Sequence, residues 1–444
     1  MGQLYCYRMA GVCVKPSLLL EYLFGARMAR TNRHMQDATE QFNRVHPSSY
    51  LSDLPEGSCL GPLDPATSSA LNTPRLASDK AAGAKDDAVC HPSLCVTLSD
   101  FEPEAKKVLP RKAWVYASSF ASSGVAMRNN LDDWSLVHFR PRVLRNVENV
   151  DLRTKILGQD SLVPFFVPPM GTLGNLHPGA EPEMVRGLVR KGILGVVSTA
   201  SSKPAEDIMQ SFVDEQKVFD NTSPSRLFFQ LYVPMDRTRA RALIHKVRAA
   251  GYQGLWITVD TPVLGKRTAD TRLQAEEALA TGLQEKPTAA RPKKENSFGV
   301  VSGGRAAAGQ LSPNLTWEDI KWIRKEWQGP IVLKGIQNAD DAKLALDYGC
   351  QGILLSNHAG RQLHSAPSSL VTLLEIRTYY PELIGKIEIY VDGGLRDGAD
   401  ILKAVCLGAT AVGIGRPFLY ALAAYGSDGV ERCADGTLQK EIQP

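Results

Sequence analysis

The sequence predicts an α/β protein built as a (β/α)8 TIM barrel. Two observations support this prediction: the alternation of apolar runs with helical patterns, and the number of those runs. From about residue 96 onward, short and continuously apolar runs alternate with segments of helical pattern. Such runs are typical of parallel strands covered on both faces, and eight of them within 444 residues fit one large barrel plus an appendage. A doubly wound open sheet is the alternative, but no G-x-G-x-x-G pattern follows the first run.

The eight predicted strands, in chain order, are FFVPPM (165–170), ILGVVST (193–199), LFFQLYV (227–233), GLWITVD (254–260), PIVLKG (330–335), GILLSN (352–357), IEIYVDGG (387–394) and TAVGIG (410–415). Helices are predicted between them, with the clearest patterns at 181–192, 237–251, 338–349 and 397–408. Each helical pattern has an Asp, Glu or Asn near its start and a Gly at its end, as helix caps require.

The chain divides by composition into an N-terminal extension, 1–95, and the predicted barrel domain, 96–444. The extension is irregular, and its part from 46 to 95 is rich in Pro, Ser, Gly and Asp, which favours a linker. Within the barrel domain, a long loop at 261–329 follows the fourth strand. Because the carboxyl ends of barrel strands form the active face, we expect this loop to lie over that face.

Composition excludes several classes of function. The net charge of +4 and the lack of a basic stripe interleaved with aromatic residues argue against nucleic acid as a partner. No apolar stretch is long enough to span a membrane. The eight scattered cysteines show no metal-ligand spacing, so no metal site is predicted. Residues 1–35 are basic and suit an organelle-targeting segment or an ordinary N-terminus, which leaves the compartment open between mitochondrion and cytoplasm.

Polar residues stand at the carboxyl ends of seven of the predicted strands. Taken singly, each is more often a cap or a satisfied core group, but in a barrel these ends face one bowl and together predict a site. The residues are Ser198, Thr199, Gln230, Tyr232, Thr258, Asp260, Lys334, Ser356, His358, Asp392, Gly393, Gly394, Gly415 and Arg416.

The last two strand ends suggest a phosphate-bearing cofactor. VDGGLRDGAD (391–400) places glycines and Arg396 just before a helix, and GIGRPF (413–418) does the same with Arg416. Glycines allow backbone N–H groups to approach a phosphate, and guanidinium groups match its oxygens. Across the bowl, Lys334 could stabilise negative charge on an electron-accepting ring or pair with a carboxylate such as Asp260.

Several motifs together resemble the FMN-dependent 2-hydroxy-acid dehydrogenase/oxidase family, which includes glycolate oxidases, lactate oxidases and the haem-flavin lactate dehydrogenases. The resemblance covers about residues 100–425, and its closest form is the haem-flavin group. It implies a flavoprotein oxidoreductase that uses FMN to oxidise small L-2-hydroxy acids to 2-keto acids, with oxygen or a cytochrome as electron acceptor, as a homo-oligomer. The motifs are SNHAGRQLH (356–364), TVDTPVLGKR (258–267), FFQLYV (228–233), VLKGI (332–336) and 391–418.

The resemblance assigns roles to individual residues. His358 would be the base, with Asp260 as its carboxylate partner and Tyr232 on the substrate hydroxyl. Arg361, Arg267 and Tyr116 would bind the substrate carboxylate. The FMN ligands would be Ser198, Gln230, Thr258, Lys334, Ser356, Asp392, Gly393, Gly394, Arg396, Gly415 and Arg416.

The chain departs from the family pattern at four places. His364 stands where the family has an aspartate, and we expect this replacement to alter loop packing rather than abolish activity. Ala200 stands where the family has a bulky residue, and Met170 could refill the space that this change leaves. Segment 37–67 resembles half of a haem module plus hinge with His46 as a lone remnant ligand, so haem is not expected. The C-terminal helix is expected to be shortened.

Two alternatives remain open at this stage. One is another FMN-dependent TIM-barrel enzyme, although His358, Arg361 and Arg267 argue against it. The other is a truncated and catalytically impaired flavin-binding protein, which the incomplete ends of the family match suggest.

Overall fold

The computed structural model describes Tyr7–Met9, Val12–Val14, Cys59–Pro62 and residues 88–219, 221–280 and 311–438. The chain divides into two compact units, Met1–Asp86 and Asp87–Pro444. The described part of the first unit is an antiparallel sheet of β1 (Tyr7–Met9), β2 (Val12–Val14) and β3 (Cys59–Pro62). His46, most of segment 37–67 and residues 281–310 of the long loop lie outside the described residues.

The second unit is a parallel eight-stranded barrel, so the predicted fold class is confirmed. Seven strands lie inside the apolar runs that predicted them, and the fifth strand of the barrel extends one residue beyond its run, to Ile336. An isolated parallel bridge between Val167 and Gly195 joins the first strand of the barrel to the second and closes the ring, which excludes an open sheet. The strands are β6 (Phe165–Phe166), β7 (Gly195–Ser198), β8 (Leu227–Leu231), β9 (Leu255–Thr258), β10 (Ile331–Ile336), β11 (Gly352–Leu355), β12 (Glu388–Asp392) and β13 (Ala411–Gly413).

Large apolar side chains fill the barrel, which is therefore a packed core and not a channel. Trp256 and Tyr390 stack inside it with ring centroids 5.1 Å apart. A hairpin of β4 (Thr154–Ile156) and β5 (Gln159–Ser161) covers the end where the strands begin, and its turn residue Leu157 donates a backbone hydrogen bond to Glu388 at 2.9 Å. This closure leaves the opposite end, where the strands finish, for a site.

Twelve α-helices are described in the second unit. The four that the sequence indicated most clearly are confirmed to within about two residues. They are capped as expected: Asp236 and Asn338 accept backbone N–H bonds, and Gly192 and Gly408 end helices in the left-handed conformation. The helices are α1 (Phe101–Val108), α2 (Arg111–Ser118), α3 (Val125–Asp132), α4 (Ala180–Lys191), α5 (Ala205–Val218), α6 (Arg237–Ala250), α7 (Thr268–Ala280), α8 (Trp317–Glu326), α9 (Ala339–Asp347), α10 (Ser369–Tyr379), α11 (Gly398–Leu407) and α12 (Arg416–Leu438).

The last helix, α12, packs against α4 and α1 and continues to Leu438, with a break in helical geometry at Gly426. Cys433 and Ala434 are fully buried, and Gly436 lies close to the backbone of Val96. Asp435 and Gly436 are therefore part of this helix, which the sequence analysis expected to be shortened. No helix among the described residues is long and apolar enough to cross a bilayer.

Candidate active site

Two cavities that share lining residues lie at the carboxyl ends of the barrel strands. One has a volume of about 140 Å³ and the other about 70 Å³, and Tyr116, Lys334, His358 and Arg361 line both. All predicted site residues except Thr199, Asp260 and Ser356 line at least one of them, and these three contact residues that do. The larger cavity contains Asp392, Gly393, Gly394, Arg396, Gly415 and Arg416, and the smaller one contains Ser198, Gln230, Tyr232, Thr258 and Arg267.

His358 and Asp260 form a hydrogen-bonded pair. Nδ1 of His358 lies 2.9 Å from Oδ1 of Asp260, and Nε2 lies 3.5 Å from the hydroxyl of Tyr232. Burial alone would raise the pKa of Asp260, but the charges of His358 and Lys334 and its hydrogen bonds outweigh burial and hold that pKa well below its usual range. Burial, helped by Lys334, lowers the pKa of His358. The pair thus combines a carboxylate with an imidazole whose neutral form is favoured by burial.

A buried amide pair fixes the loop that carries His358. Asn130 on α3 and Asn357 donate to each other's side-chain oxygen at 2.8 Å in both directions. Asn357 also accepts the backbone N–H of Gly360 at 2.9 Å. Gly360 has φ +73, and a Cβ there would lie 2.6 Å from the backbone N of Met127. Helix α3 and the His358 loop are therefore locked together.

The two arginines form a positively charged end of the smaller cavity. Arg361 donates to the carbonyl of Tyr116 at 2.8 Å and stacks over its ring at 4.9 Å. Nε of Arg267 is buried without a hydrogen-bond partner among the described residues. Burial and the charge of Arg361 lower the pKa of Arg267 to about 10. Burial raises the pKa of nearby Asp270, and the charges of Arg361 and Arg267 oppose that effect.

Lys334 is buried between the His358–Asp260 pair and the larger cavity. Its Nζ donates to Ser356 at 3.2 Å and lies 3.8 Å from Oδ2 of Asp260. Lys334 therefore faces a carboxylate, as one sequence interpretation expected, and it also lines both cavities, while its role toward an electron-accepting ring stays a prediction. Beside it, a chain of hydrogen bonds runs from Ser198 to Gln230 at 3.0 Å and from Gln230 to Thr258 at 2.8 Å.

The far end of the larger cavity is suited to a phosphate and a polyol. Arg416 donates to the carbonyls of Ser119 and Ala359 at 3.0 and 3.1 Å, but no carboxylate of the described residues is within ion-pairing distance of it. Burial lowers the pKa of Arg416 to about 10 and raises that of Asp392, whose Oδ1 is buried without a partner in the described part of the chain. An anionic group and a hydroxylated chain would satisfy these atoms.

Sequence reasoning missed some residues of the site. Met127, Asn130 and Leu131 on α3 line the larger cavity, and no pattern in the sequence indicated that this helix, which precedes the barrel, contributes to the site. Thr261 lines the smaller cavity beside Asp260, and its adjacency to that residue was the available signal. Within the described residues, no group of three or more His, Cys, Asp or Glu side chains could hold a metal ion.

His364 lies behind the loop that carries His358. Its Nε2 is 3.3 Å from the hydroxyl of Ser123, and its carbonyl accepts the backbone N–H of Ala126 at 3.1 Å. Its Nδ1 is buried without a described partner. His364 thus joins the β11–α10 loop to the start of α3, which agrees with the expectation that it affects loop packing.

Small residues form one wall of the smaller cavity. A Cβ added to Gly171 would lie 3.0 Å from Cβ of Ala200, so the two residues face each other closely. Met170, which could have refilled the space left by Ala200, lines the larger cavity and not the smaller one.

Residues 105–444 match the FMN-dependent dehydrogenase family. The chain is 37% identical to L-lactate dehydrogenase (cytochrome) of Saccharomyces cerevisiae over 355 residues, which are 78% of this chain but 57% of the yeast protein. It is also 37% identical to L-lactate oxidase of Nostoc sp. over 347 residues, 78% of this chain and 92% of that protein.

Solved structures show the same fold. The flavin-binding domain of baker's yeast flavocytochrome b2 matches with a TM-score of 0.69 and 33% identity, covering 80% of this chain and 82% of that one. A mandelate oxidase variant with (S)-mandelic acid matches with a TM-score of 0.66 and 31% identity, covering 78% and 92%. This chain belongs to the FMN-dependent dehydrogenase family.

Proposed function

We propose that this chain uses FMN to oxidise 2-hydroxy acids to 2-keto acids. One observation carries the proposal: the His358–Asp260 pair, the two arginines and Lys334 converge on one pair of cavities. An imidazole that accepts a proton, guanidinium groups that bind a carboxylate and a buried ammonium group are the groups that this reaction requires.

The residues around the larger cavity would hold FMN. Arg396, Arg416 and the N–H groups near Gly393 and Gly394 suit its phosphate, and the unpartnered oxygen of Asp392 suits a ribityl hydroxyl. The flavin ring would contact Lys334, Ser356 and the polar chain of Ser198, Gln230 and Thr258. When bound, FMN supplies an acceptor for the two electrons that the substrate loses.

The arginines would orient the substrate. Arg361 and Arg267 can both bond to one carboxylate, with Tyr116 adding a hydroxyl donor. Because both guanidinium groups lie in the cavity that contains His358, a bound carboxylate places the α-carbon and its hydroxyl near Nε2. Tyr232, whose hydroxyl faces the same nitrogen at 3.5 Å, would bond to the substrate hydroxyl. Fixed orientation of this kind lowers the entropic barrier to reaction.

His358 would accept a substrate proton at Nε2. The neutral state of the ring at neutral pH makes it competent as a base, and Asp260 stabilises the positive charge that the ring gains. The carboxylate is fully buried, so water does not screen this stabilisation. The substrate then leaves as a 2-keto acid that has given one proton to His358, and its two electrons and second proton would pass to the bound FMN.

The fourth substituent of the α-carbon would point toward the small apolar wall. Gly171, Ala200, Leu264 and Leu311 line this part of the smaller cavity. We propose that it accepts a methyl group and also larger side chains.

Oxygen and a cytochrome are both proposed as acceptors, because the curated relatives include oxidases and a cytochrome-linked dehydrogenase. Homo-oligomerisation stays a prediction, which light scattering on the purified protein would test.

The decisive experiment is anaerobic reduction of the purified yellow protein. We expect L-lactate, glycolate or L-mandelate to bleach the flavin absorbance, and D-lactate to leave it unchanged. His358→Gln should bind FMN normally but bleach at least about a thousandfold more slowly, since it lacks the base. Absence of bleaching by every hydroxy acid in the wild type would refute the proposal. Mixing the bleached protein with oxygen or with cytochrome c then identifies the acceptor.

A further inference from the structure

Thr261 makes two contacts with the catalytic pair. Its hydroxyl donates to Oδ1 of Asp260 at 2.7 Å and lies 3.3 Å from Nδ1 of His358. The residue is 6% exposed and lines the smaller cavity. Thr261, Asp260 and His358 therefore form a closed triangle of hydrogen-bonding atoms.

The triangle restricts where the imidazole proton can lie. A hydroxyl group has one proton, and Thr261 uses it on Asp260, so toward Nδ1 it can act only as an acceptor. Oδ1 of Asp260 is also an acceptor toward Nδ1, at 2.9 Å. Two acceptors facing Nδ1 require a proton on that nitrogen. Nε2, on the Tyr232 side of the ring, is then left without one.

Thr261 also keeps the carboxylate of Asp260 oriented toward His358 and not toward the ammonium group of Lys334. Oδ2 of Asp260 lies 3.8 Å from Nζ of Lys334 and has no hydrogen bond among the described residues. A small rotation of the carboxylate would bring it within bonding distance of Lys334 and away from the imidazole. The hydrogen bond from Thr261 anchors Oδ1 and opposes this rotation.

We propose that Thr261 is a positioning residue that keeps the proton of His358 on Nδ1 and so leaves Nε2 free to accept the substrate proton. This inference rests on the proposed oxidation of 2-hydroxy acids. It assigns the hydroxyl of Thr261, and not its methyl group, as the part that matters.

Two substitutions separate the hydroxyl from the methyl group. Thr261→Val keeps the shape but loses the hydrogen bond, and Thr261→Ser keeps the hydrogen bond but loses the methyl group. A hydrogen bond to a charged group typically contributes enough to change a rate by roughly tenfold to a hundredfold. We expect Thr261→Val to slow anaerobic flavin reduction by that factor, with a larger kinetic isotope effect for substrate deuterated at C2. Thr261→Ser should stay within about threefold of the wild type.

Two further measurements exclude a merely structural effect. Binding of acetate, which offers one carboxylate to Arg361 and Arg267 and no second polar group to His358, should be unchanged in both variants. In protein labelled with ¹⁵N-histidine, with His358→Gln identifying the signal, the ring nitrogen shifts of His358 should show the Nδ1–H tautomer in wild type and Thr261→Ser, and a mixture in Thr261→Val.

The inference is overturned if Thr261→Val reduces its flavin as fast as the wild type, or if Thr261→Ser is impaired as much as Thr261→Val, which would indicate packing. An unchanged Nδ1–H tautomer in Thr261→Val would also overturn it. If no 2-hydroxy acid reduces the wild type, the proposed function fails, whereas the nitrogen shifts still test the role of Thr261.

Discussion

Replacing Asp260 with Asn tests the catalytic pair most directly, because the change removes a charge and keeps the size. The carboxylate oxygen lies 2.9 Å from Nδ1 of His358, and the Asp260 side chain is fully buried. At an effective dielectric constant of about 20, two unit charges at that distance attract by roughly 6 kcal/mol. The neutral amide retains a hydrogen bond of about 1 kcal/mol, so the net loss is about 5 kcal/mol. This corresponds to a rate about five thousandfold lower.

The assay is stopped-flow reduction of the bound flavin by L-lactate under anaerobic conditions, at saturating substrate. Asp270→Asn is the matched control, since Asp270 faces Arg267 and Arg361 rather than His358. We expect the control to change substrate affinity by less than about tenfold and to leave the reduction rate nearly unchanged. If Asp260→Asn, with FMN bound, reduces its flavin within tenfold of the wild type, the carboxylate does not stabilise the imidazolium and the reasoning is wrong.

Three other predictions follow from the same structure. Burial, more than any neighbouring charge, lowers the pKa of His358. We therefore expect kcat/KM to stay constant at neutral pH and to fall only below about pH 6.5, the usual pKa of an imidazole. A pH profile of kcat/KM with its midpoint above about 7 would contradict this. Gly394→Ala should lower the free energy of unfolding by at least about 3 kcal/mol more than Gly385→Ala does, as measured by denaturant titration. Both glycines have φ near +87°, but only a Cβ at position 394 would clash with a neighbour, the carbonyl oxygen of Asn130 at 1.6 Å. Ala200→Leu should shift the kcat/KM ratio of L-mandelate to L-lactate toward lactate by roughly tenfold to a hundredfold, and an unchanged ratio would show that this wall does not contact the substrate side chain.

Much of the fold could be predicted from the sequence because its signals are local. Each apolar run marks its strand to within one residue at the strand's end, and glycines such as Gly192 and Gly408 end helices as their conformational freedom allows. The candidate site was predictable for a related reason. In a parallel barrel every strand ends on the same side, so a polar residue at each end, such as Lys334 or Asp392, must face a common bowl.

Helix α3 was not predictable as part of the site. Asn130 lies 227 residues before its partner Asn357, and an asparagine in a polar helical segment carries no sign of such a bond. The pairing of Ser123 with His364 is equally distant, at 241 residues. The effect of His364 on activity stays a prediction, but its place behind the loop could come only from the folded chain.

The sequence by itself determined the order of strands and helices and the set of chemical groups available, because spacing and caps act over a few residues. Only the tertiary structure decided that Val167 and Gly195 close the ring, that the space beside Ala200 is not refilled by Met170, and that Thr261 bonds to both members of the catalytic pair. These outcomes depend on distances between side chains brought together by packing of the whole barrel. Ångström-scale distances of this kind set hydrogen bonds, protonation and the space left for a substrate.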